Sequence, residues 1–395
     1  MNSFMGCRLF GAYRTAISIK NASVLIHSTI GCSWGTAAFH ASSKTKDIRQ
    51  CSSVLYEKDI VYGGRASIIK ALKNMESLYD CPVVFVLTGC VAEIMEDDID
   101  GILREAALQK PVLPVKAAGF KGDMMSGALD SLMLIINRMY KPKRKIKNSV
   151  NIMGIFSDDY RSDADIKAVK CLMGDGIYLN SVIPYDTYET ILNAPEAQLN
   201  IVFRGFEPAG EYMEKKFGIP FVVVDYPYGI ENSRNFIHKV YNTLGLEVKN
   251  NIFFKENDVL QKLEMVYDYI RKLYGMPVAI SGDSARAGAL KKFLESELGL
   301  EVEAYRDNFS QAEQNFEDQV EASNAVMVLG SSYERGLADR LNIPVLRFAY
   351  PVFDSVSIGK VSYVGFDGVP ELIQDVINLI MTLDYRRNGM YENFT

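Results

Sequence analysis

The sequence is poor in histidine and tryptophan and lacks the common nucleotide and membrane signatures. It has three histidines and one tryptophan among 395 residues. It contains neither GxxxxGK[ST] nor a GxGxxG after a strand, so we expect no ATP site on this chain. No apolar run approaches the roughly 18 residues of a membrane-spanning helix, and the N-terminus lacks a signal-peptide pattern. We therefore expect a cytoplasmic protein that does not associate with a membrane.

Strong positive charge is also missing. The formal net charge is −6, and the one basic run that stands out is KPKRKIK at 141–147. A run this short is typical of a solvated linker. The sequence therefore predicts no nucleic-acid partner.

None of the six cysteines forms a CxxC pair, but Cys7, Cys32 and Cys90 each lie close to glycines. Cytoplasmic cysteines are better candidates for metal ligands or buried thiols than for disulfides, and thiolates are the usual ligands of iron–sulfur clusters. We expect each of the three at a strand end or in a loop, where folding brings them together. Three is one short of a closed four-thiolate site. This shortage indicates either a fourth ligand of another kind or a cluster shared with a second subunit.

The remaining cysteines and the tryptophan have less distinctive contexts. Cys51 is close enough in sequence to be a candidate fourth ligand. Cys81 and Cys171 are predicted to be buried small hydrophobic residues. Trp34 either shields the thiol site from water or belongs to the core, and the core is the favoured interpretation.

Short β-branched runs alternate with amphipathic stretches along the whole chain, which is typical of an α/β protein with parallel sheets. We expect three doubly wound, Rossmann-like domains: a cluster-binding domain at 1–145, a second domain with a bridging helix at 146–270, and a third at 271–395. Ligands in such folds collect at the carboxyl ends of strands. The predicted strands are 22–27, 81–90, 149–156, 199–205, 219–227, 276–283, 300–307, 324–332 and 343–351.

Three segments, HSTIGCSWGT, EKDIVYGG and LTGCVAEIMEDDI in that order, resemble the core of nitrogenase component 1 chains. LNIVFRG and LNIPVLRFAYPVFDSVSIG extend the resemblance nearly from end to end. The same core occurs in the cofactor-assembly scaffold chains, the dark-operative protochlorophyllide reductase and the nickel-tetrapyrrole reductive cyclase. Ser28 and Glu96 depart from the family pattern, which has glycine at both places.

The resemblance implies an α/β subunit that pairs with a like subunit, as a homodimer or with a homologous chain. It implies that Cys7, Cys32 and Cys90 hold an iron–sulfur cluster near the subunit interface. The cluster is either an 8Fe–7S type like the nitrogenase P-cluster or a 4Fe–4S type. A separate ATP-hydrolysing iron protein would deliver the electrons.

Catalytic nitrogenases also hold a large metal cofactor through one cysteine and one histidine. This second metal site looks absent from the present sequence. The resemblance puts its cysteine within 202–204 and its histidine near Ala349 and Tyr350, and neither ligand type occurs there. We therefore expect no iron–molybdenum cofactor and no reduction of dinitrogen by this chain. Arg204, Arg347 and Tyr350 lie towards the ends of the predicted strands 199–205 and 343–351 and are candidates for a substrate cleft. The alternative interpretation of the two arginines is structural.

Three functions remain open from the sequence. The first is an oxidoreductase component that accepts electrons from the iron protein and reduces a small molecule or a tetrapyrrole-like substrate. The second is a scaffold for metallocluster or cofactor assembly. The third is a redox-regulatory or electron-storing protein. The sequence assigns no catalytic residue.

Overall fold

The computed structural model describes residues 6–42, 49–248, 250–308, 315–357 and 361–388. Twelve strands within this part of the chain form three four-stranded sheets, and their strand pairings are parallel. The α/β architecture with three parallel sheets is therefore confirmed. The chain divides into two compact units. The N-terminal unit comprises 5–158 and 178–221, and the C-terminal unit comprises 159–177 and the chain from 222 onwards.

The first sheet of the N-terminal unit has the strand order β2-β1-β3-β4. Its elements are α1 (Arg8–Ser18), β1 (Ser23–His27), α2 (Ile30–Ser42), β2 (Gln50–Ser52), α3 (Glu57–Tyr62), α4 (Arg65–Leu78), β3 (Val84–Thr88), α5 (Cys90–Ile94), α6 (Ile99–Ala106), β4 (Val112–Lys116), a 3₁₀ turn (Gly119–Lys121) and α7 (Met124–Arg138).

Both faces of this sheet are buried, which explains why β1 and β3 are continuous apolar runs. Val24 and Ile26 pack into the core formed with α1 and α7. Leu25 points to the opposite core, formed with α4 and α6. The strand order reverses between β1 and β3, so the carboxyl ends of these two strands border the crevice where ligands bind in open α/β sheets.

The second sheet has the order β6-β5-β7-β8, and its last strand begins at Phe221, the final residue of the N-terminal unit. Buried Asn151 and Asn200 pair through their side chains on the two central strands. The elements are β5 (Ser149–Ile155), β6 (Tyr178–Pro184), α9 (Tyr188–Leu192), a 3₁₀ turn (Ala194–Glu196), β7 (Leu199–Phe203), α10 (Glu207–Phe217) and β8 (Phe221–Val224).

The C-terminal unit contains the third sheet, with the order β10-β9-β11-β12. Its elements are α8 (Ser162–Met173), α11 (Gly229–Leu244), α12 (Asn250–Glu264), α13 (Tyr267–Ile270), a 3₁₀ turn (Arg271–Leu273), β9 (Pro277–Gly282), α14 (Ser284–Ser296), β10 (Glu301–Asp307), α15 (Phe316–Ala322), β11 (Val328–Gly330), α16 (Arg335–Leu341), β12 (Val345–Arg347) and α17 (Gly368–Asn388).

The predicted bridging helix is interrupted, because α12 ends at Glu264 and a separate short helix follows. The predicted domain limits, at 145/146 and 270/271, remain predictions. A search of the described helices finds none that combines the length and the apolar character needed to cross a bilayer.

A buried polar network stabilises the C-terminal unit around Arg286, which lies in the first turn of α14. Its guanidinium donates to Asp159 Oδ2 at 2.7 Å, to the Tyr226 hydroxyl at 2.8 Å and to Asp283 Oδ2 at 3.1 Å. The Tyr226 hydroxyl in turn donates to Asp165. Burial raises the pKa of Asp165 to about 6, although Arg286 and donated hydrogen bonds oppose the shift.

This network predicts a pH dependence of stability. The folded-state pKa of Asp165 is about 6, above an unfolded value of roughly 4. Its contribution is therefore fully present below pH 4 and is lost as the pH rises through 6. We expect this group to lower the free energy of unfolding by about 3 kcal/mol between pH 4 and pH 7. Urea unfolding of Asp165→Asn should lack this component; an unchanged pH profile would contradict the assignment.

Candidate thiol site

Cys7 is placed by the packing of the first helix. It is the N-cap residue of α1 and forms a β-bridge with Asp123, just before α7. The two helices are in backbone contact, because a Cβ on Gly11 would lie 1.8 Å from the Met124 carbonyl oxygen. A Cβ on Gly127 would similarly lie 2.0 Å from the Arg8 carbonyl oxygen. The Gly-Ala that follows Cys7 in the sequence is thus a helix-packing surface.

Cys32 and Cys90 are placed by the two central strands of the first sheet. Cys32 lies in the first turn of α2, shortly after β1, and Cys90 is the first residue of α5, two residues after β3. We predicted strand ends or loops, and the structure places both at helix starts just beyond strand ends. Both cysteines therefore lie where the strand order reverses between β1 and β3, and open α/β sheets bind their ligands at such a point.

Gly119 brings two of these thiols to one point. Its backbone N–H donates to Cys90 Sγ at 3.1 Å. A Cβ on Gly119 would lie 3.2 Å from Cys7 Sγ and 3.6 Å from Cys90 Sγ. Both sulfur atoms therefore border the same small volume, which only a glycine leaves open.

The relation of Cys32, the third thiol, to the other two is seen in the pKa of Cys7. Burial raises the pKa of Cys7, the backbone N–H groups of Phe10 and Leu9 oppose the shift, and Cys32 and Cys90 raise the pKa further. Cys32 and Cys90 thus both lie within electrostatic range of Cys7. No three His, Cys, Asp or Glu side chains of the described residues are arranged to hold a single metal ion.

A hydrogen-bonded histidine joins the two segments that carry Cys32 and Cys90. His27, at the end of β1, is fully buried and donates from Nε2 to Asp97 Oδ2 at 3.0 Å. Its Nδ1 lies 2.6 Å from the Ser53 hydroxyl. Asp97 also accepts from the Gly64 N–H at 3.3 Å. The three segments that carry the family resemblance therefore meet at His27 and Asp97.

Glu93 similarly links the segment that carries Cys90 to another segment, the turn after β4. Its carboxylate accepts hydrogen bonds from the Ala118 N–H at 2.7 Å and from Lys121 at 2.6 Å. These contacts fix the turn that contains Gly119. Glu93 and Asp97 both join segments that are distant in the sequence. Sequence reasoning missed their links between segments, because such links depend on contacts that chain spacing does not encode.

Asp97→Ala tests the histidine link. The substitution leaves the buried His27 Nε2–H and the Gly64 N–H without their acceptor, so we expect a loss of about 2 kcal/mol in the free energy of unfolding. Urea unfolding measures this loss, and Asp100→Ala, an exposed position on the next helix, is the matched control. Equal midpoints for the two variants would contradict the proposed role of Asp97.

The other cysteines lie apart from this point. Cys51, the candidate fourth ligand, is on β2 and packs into the core shared with α4, whereas Cys7 and Cys32 pack against the core on the other face. Burial raises the pKa of the Cys51 thiol. Cys81 is buried as predicted, but Cys171 is exposed, so that prediction was wrong. Trp34 is 72% exposed, and its assignment to the core was also wrong.

The candidate cleft residues belong to different units. Arg204 is exposed after β7 in the N-terminal unit. In the C-terminal unit, the Arg347 guanidinium is engaged by both carboxylate oxygens of Asp354, with Nε 2.9 Å from Oδ1. This ion pair favours the structural interpretation of Arg347. Tyr350 is half-buried and precedes a cis peptide bond to Pro351.

The class of protein to which this fold belongs is identified by a family profile. A family profile described as nitrogenase component 1 type oxidoreductase matches residues 7–381. The chain belongs to the nitrogenase component 1 family.

Its relatives span several roles. The chain is 25% identical over 447 residues to the nitrogenase molybdenum-iron protein beta chain of Methanococcus maripaludis, covering 98% of this chain and 95% of that one. It is 31% identical to the nitrogenase iron-molybdenum cofactor biosynthesis protein NifE of Clostridium pasteurianum, covering 75% and 66%. It is 24% identical to one subunit of the light-independent protochlorophyllide reductase of Trichormus variabilis, covering 95% and 82%.

Solved structures match in fold. The structure titled nitrogenase Cp1 at pH 6.5 superposes with a TM-score of 0.86 and 20% sequence identity, covering 100% of this chain and 96% of that one. At this identity the match supports the architecture alone.

Proposed function

We propose that this chain is the iron–sulfur component of a nitrogenase-like reductase, and that Cys7, Cys32 and Cys90 hold its cluster. The observation that carries the proposal is the approach of Cys7 and Cys90 to Gly119, whose N–H donates to the Cys90 sulfur. Burial and hydrogen bonds to sulfur are the main protein controls on the reduction potential of a cluster. When bound, the cluster would supply one-electron transfer.

The donor set fits this group. Soft thiolates favour iron–sulfur chemistry over hard cations such as magnesium. The volume beside Gly119 is open because that residue has no side chain, and Glu93 holds the surrounding turn in place. Both cluster types, 8Fe–7S and 4Fe–4S, remain candidates, and Cys51 is the remaining candidate for a fourth ligand.

A partner chain is proposed to complete the site. Three thiolates are fewer than a closed four-thiolate site needs, and the segments around them expose large apolar side chains. Trp34 is 72% and Tyr62 88% exposed. Two relatives are named as a beta chain and as one subunit of a reductase, and such names denote proteins with partner chains. The proposed rim, which a second copy or a homologous chain would cover, consists of Ile30, Trp34, Tyr56, Ile60, Val61, Tyr62, Ile94 and Phe120.

A second partner is proposed to supply electrons. The sequence has no nucleotide-binding motif, so ATP hydrolysis would belong to a separate iron-protein-like reductase. The substrate is proposed to be a small molecule or a tetrapyrrole-like compound, in line with the named reaction of the protochlorophyllide reductase relative. Dinitrogen is not the proposed substrate, because 202–204 lacks a cysteine and 349–350 lacks a histidine. The proposed location is the cytoplasm.

A scaffold for cofactor assembly is the second candidate function. The 31% identity to a cofactor biosynthesis protein favours it. A site without permanent anchoring ligands for a large cofactor also suits a protein that must release its cargo.

Anaerobic purification with iron analysis and EPR spectroscopy tests the cluster. A cluster of eight irons shared by two chains and one of four irons per chain both give about four irons per chain. Their EPR spectra differ on oxidation and separate them. About two irons per chain would indicate one four-iron cluster per dimer. Iron near zero in every anaerobic preparation would refute the proposal.

Iron retention separates the two functions. Protein loaded with radioactive iron is mixed with a nitrogenase iron protein, MgATP and a reductant. A reductase component should show ATP-dependent reduction of its cluster while it keeps its iron. A scaffold should instead transfer iron to an added acceptor protein that lacks its cofactor.

A further inference from the structure

A buried hydroxyl close to the candidate thiol site lacks a hydrogen-bond partner. The side chain of Ser28, the residue that follows β1, is 0% exposed. Its Oγ finds no partner in the part of the chain that the structure describes. Leaving a buried hydroxyl unpaired costs folding free energy, so native proteins rarely keep one unless another group completes the bond. The Ser28 hydroxyl is therefore a candidate donor to a group that the site holds.

The alternation of side chains along β1 shows which way Ser28 points. Backbone pairing extends beyond the strand, since the Leu55 N–H donates to the Ser28 carbonyl oxygen at 2.9 Å. Successive side chains of an extended chain point to opposite faces of the sheet, so Ser28 is on the same face as Ile26. Ile26 belongs to the core against which Cys7 and Cys32 pack. The hydroxyl therefore points to the side of the sheet that carries these two thiols.

Ser28 is also in contact with the segment that carries the third thiol. Gly89 immediately precedes Cys90, and a Cβ on Gly89 would lie 2.2 Å from Ser28 Oγ. The Gly89 N–H donates to the His27 carbonyl oxygen at 3.0 Å, which holds the two segments together. Ser28 itself shortly precedes Cys32 in the sequence. The hydroxyl therefore lies between the segments that carry Cys32 and Cys90.

The backbone carbonyl groups beside this hydroxyl already accept hydrogen bonds. The His27 carbonyl oxygen accepts from Gly89, and the Ser28 carbonyl oxygen accepts from Leu55. An iron–sulfur cluster would bring acceptors of its own, because its sulfides and the thiolates that bind it carry negative charge. Hydrogen bonds to these sulfur atoms are among the factors that set the reduction potential of a cluster.

We propose that the Ser28 hydroxyl donates a hydrogen bond to the cluster held by Cys7, Cys32 and Cys90 and thereby raises its reduction potential. This inference rests on the proposed function. One-electron reduction adds negative charge to the cluster, so the hydrogen bond stabilises the reduced form more than the oxidised form. Ser28 stands where the family pattern has glycine. The higher potential would therefore distinguish this chain from members that have glycine there.

Ser28→Ala tests the donor. Redox titration of the anaerobically purified full chain, followed by EPR, measures the midpoint potential, and pulsed EPR in heavy water detects exchangeable hydrogen close to the cluster. We expect a more negative midpoint and the loss of one coupling to exchangeable hydrogen, with iron content at the wild-type level. At the wild-type midpoint potential, the ratio of reduced to oxidised cluster should fall roughly tenfold.

Ser23→Ala is the matched control. Ser23 is also on β1, is 0% exposed, and its hydroxyl likewise has no partner among the described residues. It lies at the other end of the strand and on the opposite face, the face of Leu25. Its replacement should therefore leave the potential and the coupling unchanged. Ser28→Gly, which introduces the residue of the family pattern, is a second test and should behave like Ser28→Ala.

The outcomes separate this inference from the proposed function. A wild-type potential and an unchanged coupling in Ser28→Ala would refute the inference and leave the proposed function standing, because the cluster is still present. Loss of iron from Ser28→Ala but not from Ser23→Ala would also overturn it, since Ser28 would then hold the cluster or the fold. Wild-type protein without iron would instead contradict the proposed function, and this inference with it.

Discussion

Alanine at Cys7, Cys32 or Cys90 is expected to lower the iron content of anaerobically purified protein roughly tenfold or more. Each thiol would bind a different iron of the cluster, so the remaining two cannot replace the lost one. Cys7 and Cys90 share the volume beside Gly119, and loss of either opens that volume to water. Iron analysis and EPR of the three variants measure the effect.

Two other cysteines supply the controls. Cys171 is exposed on α8 and Cys81 is buried before β3, and alanine at either position should keep the wild-type iron content. Cys51→Ala tests the remaining candidate ligand. Because Cys51 packs into the core on the other face of the sheet from Cys7 and Cys32, we expect it to retain iron. Equal loss in all six variants would show that iron content reports folding rather than ligation.

Gly11→Ala is expected to lower the free energy of unfolding by about 3 kcal/mol or more. The new Cβ would lie 1.8 Å from the Met124 carbonyl oxygen, and a backbone atom within a helix cannot move aside as a side chain can. Helix α1 must therefore separate from α7 and carry Cys7 with it. Iron content should fall together with stability, which urea unfolding measures.

Gly336→Ala is the matched control for this prediction. Gly336 also lies inside a helix, but a Cβ there meets no atom within 4 Å. Alanine has the higher helix propensity, so this variant should be at least as stable as the wild type. A Gly11→Ala protein with wild-type stability and iron would mean that α1 tolerates displacement and that its packing does not position Cys7.

The sequence predicted nine of the twelve described strands, and the three missed ones share a physical cause. Strands β2, β4 and β6 are all at sheet edges, where one side of the strand has no neighbour and apolar patterning is weaker. β2 has three residues, β4 contains Pro114, and β6 contains Asn180 and Ser181. Proline is tolerated at an edge because one side needs no backbone donor.

The candidate site was only partly predictable. The motifs singled out the three cysteines, since thiol chemistry is visible in residue type and spacing. Gly119 was missed because it follows β4, a strand that the apolar pattern did not reveal. The link between His27 and Asp97 was also missed. It joins residues 70 positions apart, and only the pairing of β1 with β3 brings their segments together.

Exposure was the hardest property to predict. Trp34 and Cys171 were assigned to the interior by residue type, and both are exposed. Type alone cannot identify an apolar side chain that faces a partner rather than the core. In the proposed assembly the partner chain covers Trp34. This side chain would therefore be buried in the complex, as its residue type predicts, although it is exposed in the single chain.

Because α1 packs against α7, the position of Cys7 becomes fixed only after α7 has been synthesised. The first thiol leaves the ribosome before any strand, yet the helix that holds it in place ends at Arg138. A nascent chain that includes Cys90 but ends before Arg138 has all three sulfur atoms but no complete α7 to keep Cys7 beside Gly119. In the proposed function, insertion of the cluster would therefore follow the folding of α7 against α1.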